Sequence, residues 1–375
     1  MSLAMATCQP TASSDPRANG AEVRRMLRVA AAAGARLAHF PEGFLSGYAV
    51  ADVAAWEDVD WSAVRRELEE VAALAGELGI WVVLGSAHPL TPPHWPHNSL
   101  YVISDQGELV DRYDKRKCSN TELTRFYTPG FEPVVVDVDG FRFGLALCIE
   151  VNFEDLFAEY RRLWVDCVLL SAYPVDSIFE TKARAHAAIH NYWLSLSVPA
   201  QRTHLFHSGL IGPHGEVLAD AGSEAGLVIG ALDRDDPALH VALDLAKPWR
   251  ALARAGDIYE ERRVDDERSR VRTGTAEAKV VTLCGSTRFE AEFAEVNQRL
   301  TMDGCVVISL GMFGTVDGSD LKERLGALHF QKIRMADEVY VVDPGGYVGE
   351  STRREIAYAE SLGKPVRYLS RERSA

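Results

Sequence analysis

Short apolar runs alternate with helical patterns along this chain, and no other feature constrains its fold as much. Leu37–Phe40, Ile80–Gly85, Ser99–Ser104, Phe143–Leu147, Val165–Leu170 and Leu227–Leu232 are apolar runs bounded by Gly, Pro or polar turns, which is the pattern of strands. Between them, Ala21–Ala33 and Trp61–Leu78 carry apolar residues at helical spacing and stop at Gly34 and Gly79. Thr181–Leu194 predicts a third helix. Alternation of this kind implies an α/β architecture.

The alternation breaks between Asp244 and Thr275, a stretch rich in Arg, Asp and Glu with little strand periodicity. It reads equally as a solvated linker or as an arm that docks on a partner. A second series then begins: strand Lys279–Cys284, helix Arg288–Met302, strand Cys305–Leu310, helix Leu321–Ala336, strand Glu338–Asp343, helix Thr352–Leu362 and strand Pro365–Leu369. Units of this size fold as a small parallel sheet with helices on both faces. The boundary falls near Gly274, giving domains of 1–274 and 275–375, in keeping with about two domains for 375 residues.

From Gly274 onward there are 13 basic and 15 acidic side chains, so the first domain carries −12 of the net −14. Such acidity argues against a nucleic-acid polymer or an anionic membrane as partner. No apolar run approaches the roughly 20 residues of a membrane helix, and the N-terminus lacks the basic start of a signal peptide. The six cysteines are scattered without a C-x-x-C pair, which disfavours a zinc knuckle and fits reduced thiols in the cytoplasm. No metal or redox cofactor is implied.

Cys148 closes the strand Phe143-Gly-Leu-Ala-Leu-Cys148, and α/β sheets place ligands just past the carboxyl ends of strands. A nucleophilic thiol needs a base for its proton and donors for the thiolate and oxyanion. Glu42 follows Leu37–Phe40 through Pro41, and Lys115 follows Leu109–Tyr113. Taken singly, the cysteine would be a packing residue, the glutamate a cap and the lysine a solvated cation; their joint placement at strand ends raises the catalytic reading. Lys117 competes with Lys115, because an extended strand would put both on one face.

These stretches resemble the nitrilase, or carbon–nitrogen hydrolase, superfamily over most of residues 5–273. His39-Phe-Pro-Glu42-Gly-Phe-Leu-Ser-Gly-Tyr48 resembles the family's glutamate motif, and Tyr113-Asp-Lys115 its lysine motif. Glu122 ahead of Phe126-Tyr-Thr-Pro-Gly130 resembles its second glutamate, and Leu147-Cys148-Ile-Glu-Val-Asn-Phe153 its cysteine motif. Glu150 stands where many relatives carry Asp. The resemblance implies a four-layer α-β-β-α sandwich that pairs into a homodimer or higher homo-oligomer, with residues 245–273 as the interface arm. It also implies hydrolysis of a non-peptide amide, carbamoyl or ureide C–N bond through a Cys148 thioester. Glu42 would be the base, Lys115 the oxyanion partner, and Glu122 would position the lysine or the leaving group.

The second series holds two ligand-type turns, Cys284-Gly-Ser286-Thr-Arg288 and Asp343-Pro-Gly-Gly-Tyr-Val-Gly-Glu-Ser351-Thr352. Either could cradle an anion or merely cap a helix. Residues 279–370 resemble the nucleoside 2-deoxyribosyltransferase-like family, on Gly285-Ser-Thr-Arg288, Ala336–Asp343 and Glu355-Ile-Ala-Tyr-Ala359. That resemblance implies a doubly wound parallel fold, a nucleoside or nucleotide ligand, and Glu355 as a nucleophile toward a sugar carbon, with glycosidase-like chemistry. The alternatives to an amidohydrolase are therefore an N-glycosidic-bond enzyme or nucleotide sensor on a nitrilase-like oligomeric scaffold, and a non-catalytic assembly protein.

Overall fold

The computed structural model describes residues 2–49, 51–266, 278–312 and 319–372. The chain divides into two compact units, residues 1–263 and 264–375. Gly274, the boundary expected from the sequence, lies outside the described residues.

The first unit runs β1 (Ser2–Gln9), α1 (Pro16–Ala32), β2 (Leu37–His39), α2 (Trp61–Leu78), β3 (Trp81–His88), β4 (His97–Ile103), β5 (Leu109–Asp114), α3 (Asn120–Arg125), β6 (Val135–Val138), β7 (Phe141–Leu147), α4 (Glu154–Arg162), β8 (Cys167–Ser171), α5 (Ile178–His190), β9 (Trp193–Ser197), β10 (Gly209–Ile211), β11 (Val217–Asp220), β12 (Gly226–Asp233), α6 (Lys247–Ala255) and α7 (Asp257–Glu260). The strands form two six-stranded sheets, ordered β12-β1-β2-β3-β4-β5 and β11-β10-β9-β8-β7-β6.

Alternation along each strand sorts the side chains between cores. Leu3, Met5, Leu37, Val83 and Leu100 of one sheet join Phe143, Leu145, Cys167, Leu169 and Trp193 of the other in a single apolar cluster. The intervening residues face the other way. Ala6, Cys8, Ala38 and Val82 pack with Val23, Leu27, Val71 and Leu74 of α1 and α2. Ala146, Val168, Leu170 and Leu194 pack with Phe157, Tyr160, Ala183 and Ala187 of α4 and α5.

Local signals set the helix ends. Asp15 caps α1 with Pro16 at its first position. Asp60 caps α2 by accepting from Ala63 N–H, and Gly79 ends it in the left-handed conformation. The third helix differs from expectation: it covers Ile178–His190, Asn191 turns left-handed, and Trp193 already begins β9. The apolar Trp193-Leu-Ser-Leu run suits a buried strand as well as a helix, and its pairing with β8 and β10 decides the matter. The charged stretch holds the helices α6 and α7, and residues 263–266 follow them without regular structure.

The second unit has β13 (Val280–Gly285), α8 (Glu290–Met302), β14 (Val306–Ile308), α9 (Ser319–Met335), β15 (Glu338–Val342), α10 (Glu350–Ser361), β16 (Val366–Tyr368) and α11 (Leu369–Glu372). Its sheet is wholly parallel, ordered β14-β13-β15-β16. Phe293, Val296 and Leu300 of α8 pack on one face, and Ile333 of α9 and Ala359 of α10 on the other. No described helix is long and apolar enough to cross a membrane.

Candidate active site

In the first unit, residues at three strand ends meet a residue of α3. Glu42 follows β2, Lys115 follows β5, Cys148 follows β7, and Glu122 lies in α3. Lys115 Nζ donates to Glu42 Oε1 and to Glu122 Oε1, each at 2.7 Å. Glu42 Oε2 accepts from Tyr173 N–H at 3.0 Å. The Cys148 thiol reaches the Tyr173 carbonyl at 3.8 Å and interacts with the Glu42 carboxylate. All four side chains are buried, and the thiol is the most exposed at 6 %.

Sequence spacing left Lys115 and Lys117 open, and the tertiary structure separates them. The strand ends at Asp114. Lys115 N–H donates to Asn98 O at 2.8 Å, and Gly130 N–H donates to Lys115 O at 2.9 Å. Lys117 is exposed, with its ammonium 5.8 Å from the centre of the Phe153 ring. The Pro129-Gly130 turn needs its glycine because a β-carbon there would lie 2.4 Å from Asp114 O. Glu122 serves α3 as well, since Ser119 and Glu122 form a reciprocal capping box.

Two supporting residues were not picked out from the sequence. Asn98 Nδ2 donates to Glu42 Oε1 at 2.9 Å and to Glu122 Oε1 at 3.3 Å, so one amide spaces both carboxylates. The second is Glu150, which stands where many relatives carry Asp. It accepts from the N–H groups of Leu147 (2.7 Å), Arg116 (2.7 Å) and Lys117 (3.0 Å), and from the Tyr113 hydroxyl (2.8 Å). One buried carboxylate thus ties the end of β7, which bears the thiol, to the end of β5, which bears the lysine. Cys148 itself has φ +46°, a left-handed turn that costs a residue with a β-carbon roughly 1–2 kcal/mol. The motif residue His39 bridges Ser195 Oγ and Ser171 Oγ, both at 2.8 Å. Ser171 donates to Phe40 O at 2.8 Å, which makes Ser171 the acceptor from His39 and assigns the proton to Nε2. This chain moors the Glu42 segment to β8 and β9.

Electrostatics follow from burial and close charges. Burial raises the proton affinity of Glu42; Lys115 opposes the rise and Glu122 adds to it. Burial also disfavours the Lys115 ammonium, but Glu42 and Glu122 outweigh it and hold the lysine well above its ordinary value. The Cys148 thiol is pushed far up, by burial first and then by Glu42. Glu122 is also opposed by burial, but contact with Lys115 and the Ser119 donors leaves it below its ordinary value. The resting cluster is therefore a neutral thiol beside a lysine shared by two carboxylates. Of those two, Glu42 has the higher proton affinity. Such a set can move a thiol proton to a carboxylate and stabilise a new oxyanion.

Aromatic rings roof the cluster. The Tyr48 hydroxyl donates to Glu122 at 3.1 Å, and its ring stacks on Tyr173 with centroids 5.1 Å apart. The Arg202 guanidinium lies 4.6 Å above the Tyr173 ring, and its buried Nε makes no hydrogen bond. Beyond Tyr127, a groove is lined by Trp56, Trp61, Trp95 and Phe126, drawn largely from the stretches 54–61 and 89–96.

The second-unit candidates do not form one cluster. Ser351 Oγ donates to Glu355 Oε1 at 3.3 Å. Asp343 instead accepts from Ser370 N–H (2.9 Å) and Ser370 Oγ (2.6 Å), fastening the turn into α11. Among the described residues, Ser286 makes no hydrogen bond to the other three; its carbonyl accepts from Phe289 N–H before α8.

The family match defines an enzyme class, the carbon–nitrogen hydrolases. More particularly, the chain belongs to the carbon-nitrogen hydrolase family, whose model matches residues 3–238. It is 23 % identical over 246 residues to the chloroplastic omega-amidase of Arabidopsis thaliana, a match covering 60 % of this chain and 66 % of that protein. It is 25 % identical over 253 residues to the deaminated glutathione amidase of Homo sapiens, covering 61 % and 76 %. The solved structure of an amidase from Nesterenkonia sp. shares the fold, with 21 % identity, a TM-score of 0.56, and coverage of 66 % of this chain and 96 % of that one.

Proposed function

We propose that the first unit hydrolyses a small carboxylate-bearing amide, with Cys148 as nucleophile, Glu42 as general base and Lys115 as oxyanion donor. Glu42 takes the thiol proton as the sulfur attacks the carbonyl carbon, and Lys115 donates to the oxyanion. Glu42 passes the proton to the leaving nitrogen, and ammonia departs from the thioester. Glu42 then deprotonates a water that attacks the same carbon; the C–S bond breaks, the acid leaves, and the thiol regains its proton. Glu122 holds Lys115 against Glu42. The observation that carries this reading is the single ammonium at 2.7 Å from two buried carboxylates beside the thiol. A scaffold would gain nothing from a buried charge cluster of that cost.

Two further features support details of the reading. The relatives named as omega-amidase and deaminated glutathione amidase suggest a substrate with its own carboxylate, and Arg202 offers a guanidinium with an unused donor beside Tyr173. The three cores of the first unit fit a helix–sheet–sheet–helix sandwich. The α6 arm is bound to α5 through Arg250 and Arg254, yet it leaves Leu245, Trp249 and Leu252 more than half exposed at helical spacing. That stripe suits a second copy of the chain. The test is ammonia release from a panel of dicarboxylic acid monoamides. Cys148→Ala should reduce it by a factor on the order of 10³ or more, and undiminished release would refute the assignment.

A second reading concerns the other unit, where the resemblance implies attack by Glu355 on a nucleoside sugar carbon. The burial of this carboxylate, with Oε2 lacking a hydrogen bond of good geometry, favours it. Base release from deoxynucleosides that disappears in Glu355→Ala is its test. The same oxygen also faces a thiol and an imidazole, which suits a metal better.

A further inference from the structure

Three buried ligand-type side chains converge in the second unit, from three different elements. Cys284 ends β13, His329 lies in α9 and Glu355 in α10. Cys284 Sγ is 3.2 Å from His329 Nε2, and Glu355 Oε2 is 3.6 Å from the same nitrogen. Their relative exposures are 0 %, 6 % and 8 %.

The three side chains already contact one another, the Cys284 thiol interacting with both the imidazole and the Glu355 carboxylate. An imidazole nitrogen has one proton or one lone pair, so Nε2 cannot serve both the thiol and the carboxylate fully. Glu355 Oε2 is buried beside the thiol and the imidazole without a hydrogen bond of good geometry. A cation at the point of convergence resolves all three. In tetrahedral zinc sites, Zn–S of about 2.3 Å and Zn–N or Zn–O of about 2.0–2.1 Å place sulfur and nitrogen about 3.5 Å apart, and nitrogen and oxygen about 3.3 Å apart. The observed 3.2 and 3.6 Å lie within a few tenths of those edges. A thiolate and a carboxylate cancel the two charges of the ion, so the buried assembly is neutral. Thiolate, imidazole and carboxylate together suit zinc better than calcium or magnesium.

The position in the fold points the same way. In the order β14-β13-β15-β16, the chain leaves β13 toward one edge and β15 toward the other. The crevice past the carboxyl ends of these two strands is the topological switch point, where open parallel sheets bind ligands. Cys284 lies at the end of β13, and the helix carrying Glu355 follows β15. Ser351 Oγ donates to the other carboxylate oxygen, leaving Oε2 free for a metal.

We propose that Cys284, His329 and Glu355 bind a zinc ion, with a water or a ligand heteroatom in the fourth position. The thiol proton leaves to solvent as the Zn–S bond forms. Zinc on Glu355 occupies the electron pair that attack on a sugar carbon would use, so this site and the glycosidic role exclude each other. The ligands are 45 and 26 residues apart in sequence, which explains why no metal-binding spacing is visible there.

The experiment uses the full chain carrying Cys148→Ser, so that the hydrolase thiol does not compete. After chelation and dialysis, the protein is titrated with zinc and, separately, with cobalt. One equivalent of zinc should be retained. Cobalt should give a near-ultraviolet thiolate charge-transfer band that survives Cys305→Ser and vanishes in Cys284→Ser. His329→Gln and Glu355→Gln should each weaken zinc binding by about 10-fold or more. X-ray absorption of the zinc-loaded chain, with no substitution in the second unit, should show one sulfur among nitrogen and oxygen ligands, a result independent of how the variants fold. A spectrum without sulfur overturns the proposal. So does failure to retain zinc, or Glu355-dependent nucleoside cleavage by the zinc-loaded protein.

Discussion

Gly85 and Pro41 are in such close contact that a β-carbon on Gly85 would lie 2.0 Å from the Pro41 carbonyl oxygen. The same atom would be 3.0 Å from Glu42 Cα. The glycine of β3 therefore lets the turn after β2 lie flat against the sheet, and that turn aims Glu42 at Lys115. Gly85→Ala must displace the turn, at a stability cost of about 1–3 kcal/mol. Ammonia release should fall more than 10-fold, while circular dichroism retains the α/β spectrum. An unchanged kcat/KM would show that Glu42 does not depend on this contact.

The pH dependence follows from the charges around Glu42. As the proposed general base, Glu42 must be ionised to act, so activity should be lost as pH falls through its raised value, which lies above an ordinary 4.5. Glu122 contributes to that rise. Glu122→Gln should move the acid limb of the kcat/KM profile to lower pH, while the lower charge on Lys115's partners reduces kcat. Lys115 is held above 10.5, so no alkaline limb from lysine deprotonation is expected below that value. A profile unmoved by Glu122→Gln would exclude electrostatic coupling of the two carboxylates.

Arg202 should act on binding rather than on chemistry. Arg202→Ala is expected to raise KM for monoamides of dicarboxylic acids by about 10–100-fold, the loss of a charge-assisted hydrogen bond of about 1.5–3 kcal/mol. Neutral amides of the same length should be little affected. Equal losses on both substrate types would place the residue in the scaffold.

His39 makes folding sensitive to acid. Burial lowers its imidazole from 6.5 to about 3. The unfolded chain thus takes up a proton below 6.5 that the folded chain refuses until about 3. Stability is lost as pH falls through that window, by up to about 1.4 kcal/mol per pH unit. His39→Gln should be less stable at pH 7, because it breaks the bridge between Ser195 and Ser171. Its urea midpoint should nevertheless fall less steeply from pH 6.5 to 5. An identical slope would mean that His39 is charged in the folded state.

The exposed stripe on α6 predicts an oligomer that two charges on it disrupt. Trp249 is 56 % and Leu252 52 % exposed on a helix fixed to α5. Trp249→Glu with Leu252→Glu should halve the mass measured by light scattering without lowering the melting temperature of the monomer. A wild-type chain that is monomeric at all concentrations would refute the arm as an interface.

Much of the architecture was legible because burial imposes local periodicity. The apolar runs gave the central strands, capping residues bounded α2, and the second unit's four parallel strands lie where their patterns fall. The strand β1 was not visible, because Ser2–Gln9 holds no β-branched residue but Thr7 and is stabilised by pairing with β2 and β12 rather than by propensity. The helical pattern overruns the end of α5 for a related reason: Trp193–Leu196 is apolar enough for either state, and only its neighbours in the sheet select the strand.

The same division holds at the site. The sequence by itself determined which residue types stand at the strand ends: Glu42, Lys115 and Cys148, each held there by a motif whose prolines, glycines and aromatics shape the turn. Spacing left two lysines open and only the Tyr-x-Lys motif favoured Lys115; tertiary structure turned Lys115 inward and left Lys117 exposed. It also recruited Asn98 and Glu150 as supports, and drew Cys284, His329 and Glu355 to one point. These are contacts between residues far apart in the chain. Their geometry is set by sheet register and helix packing, and neither composition nor spacing encodes the distance between two side chains that meet only after the sheets have formed.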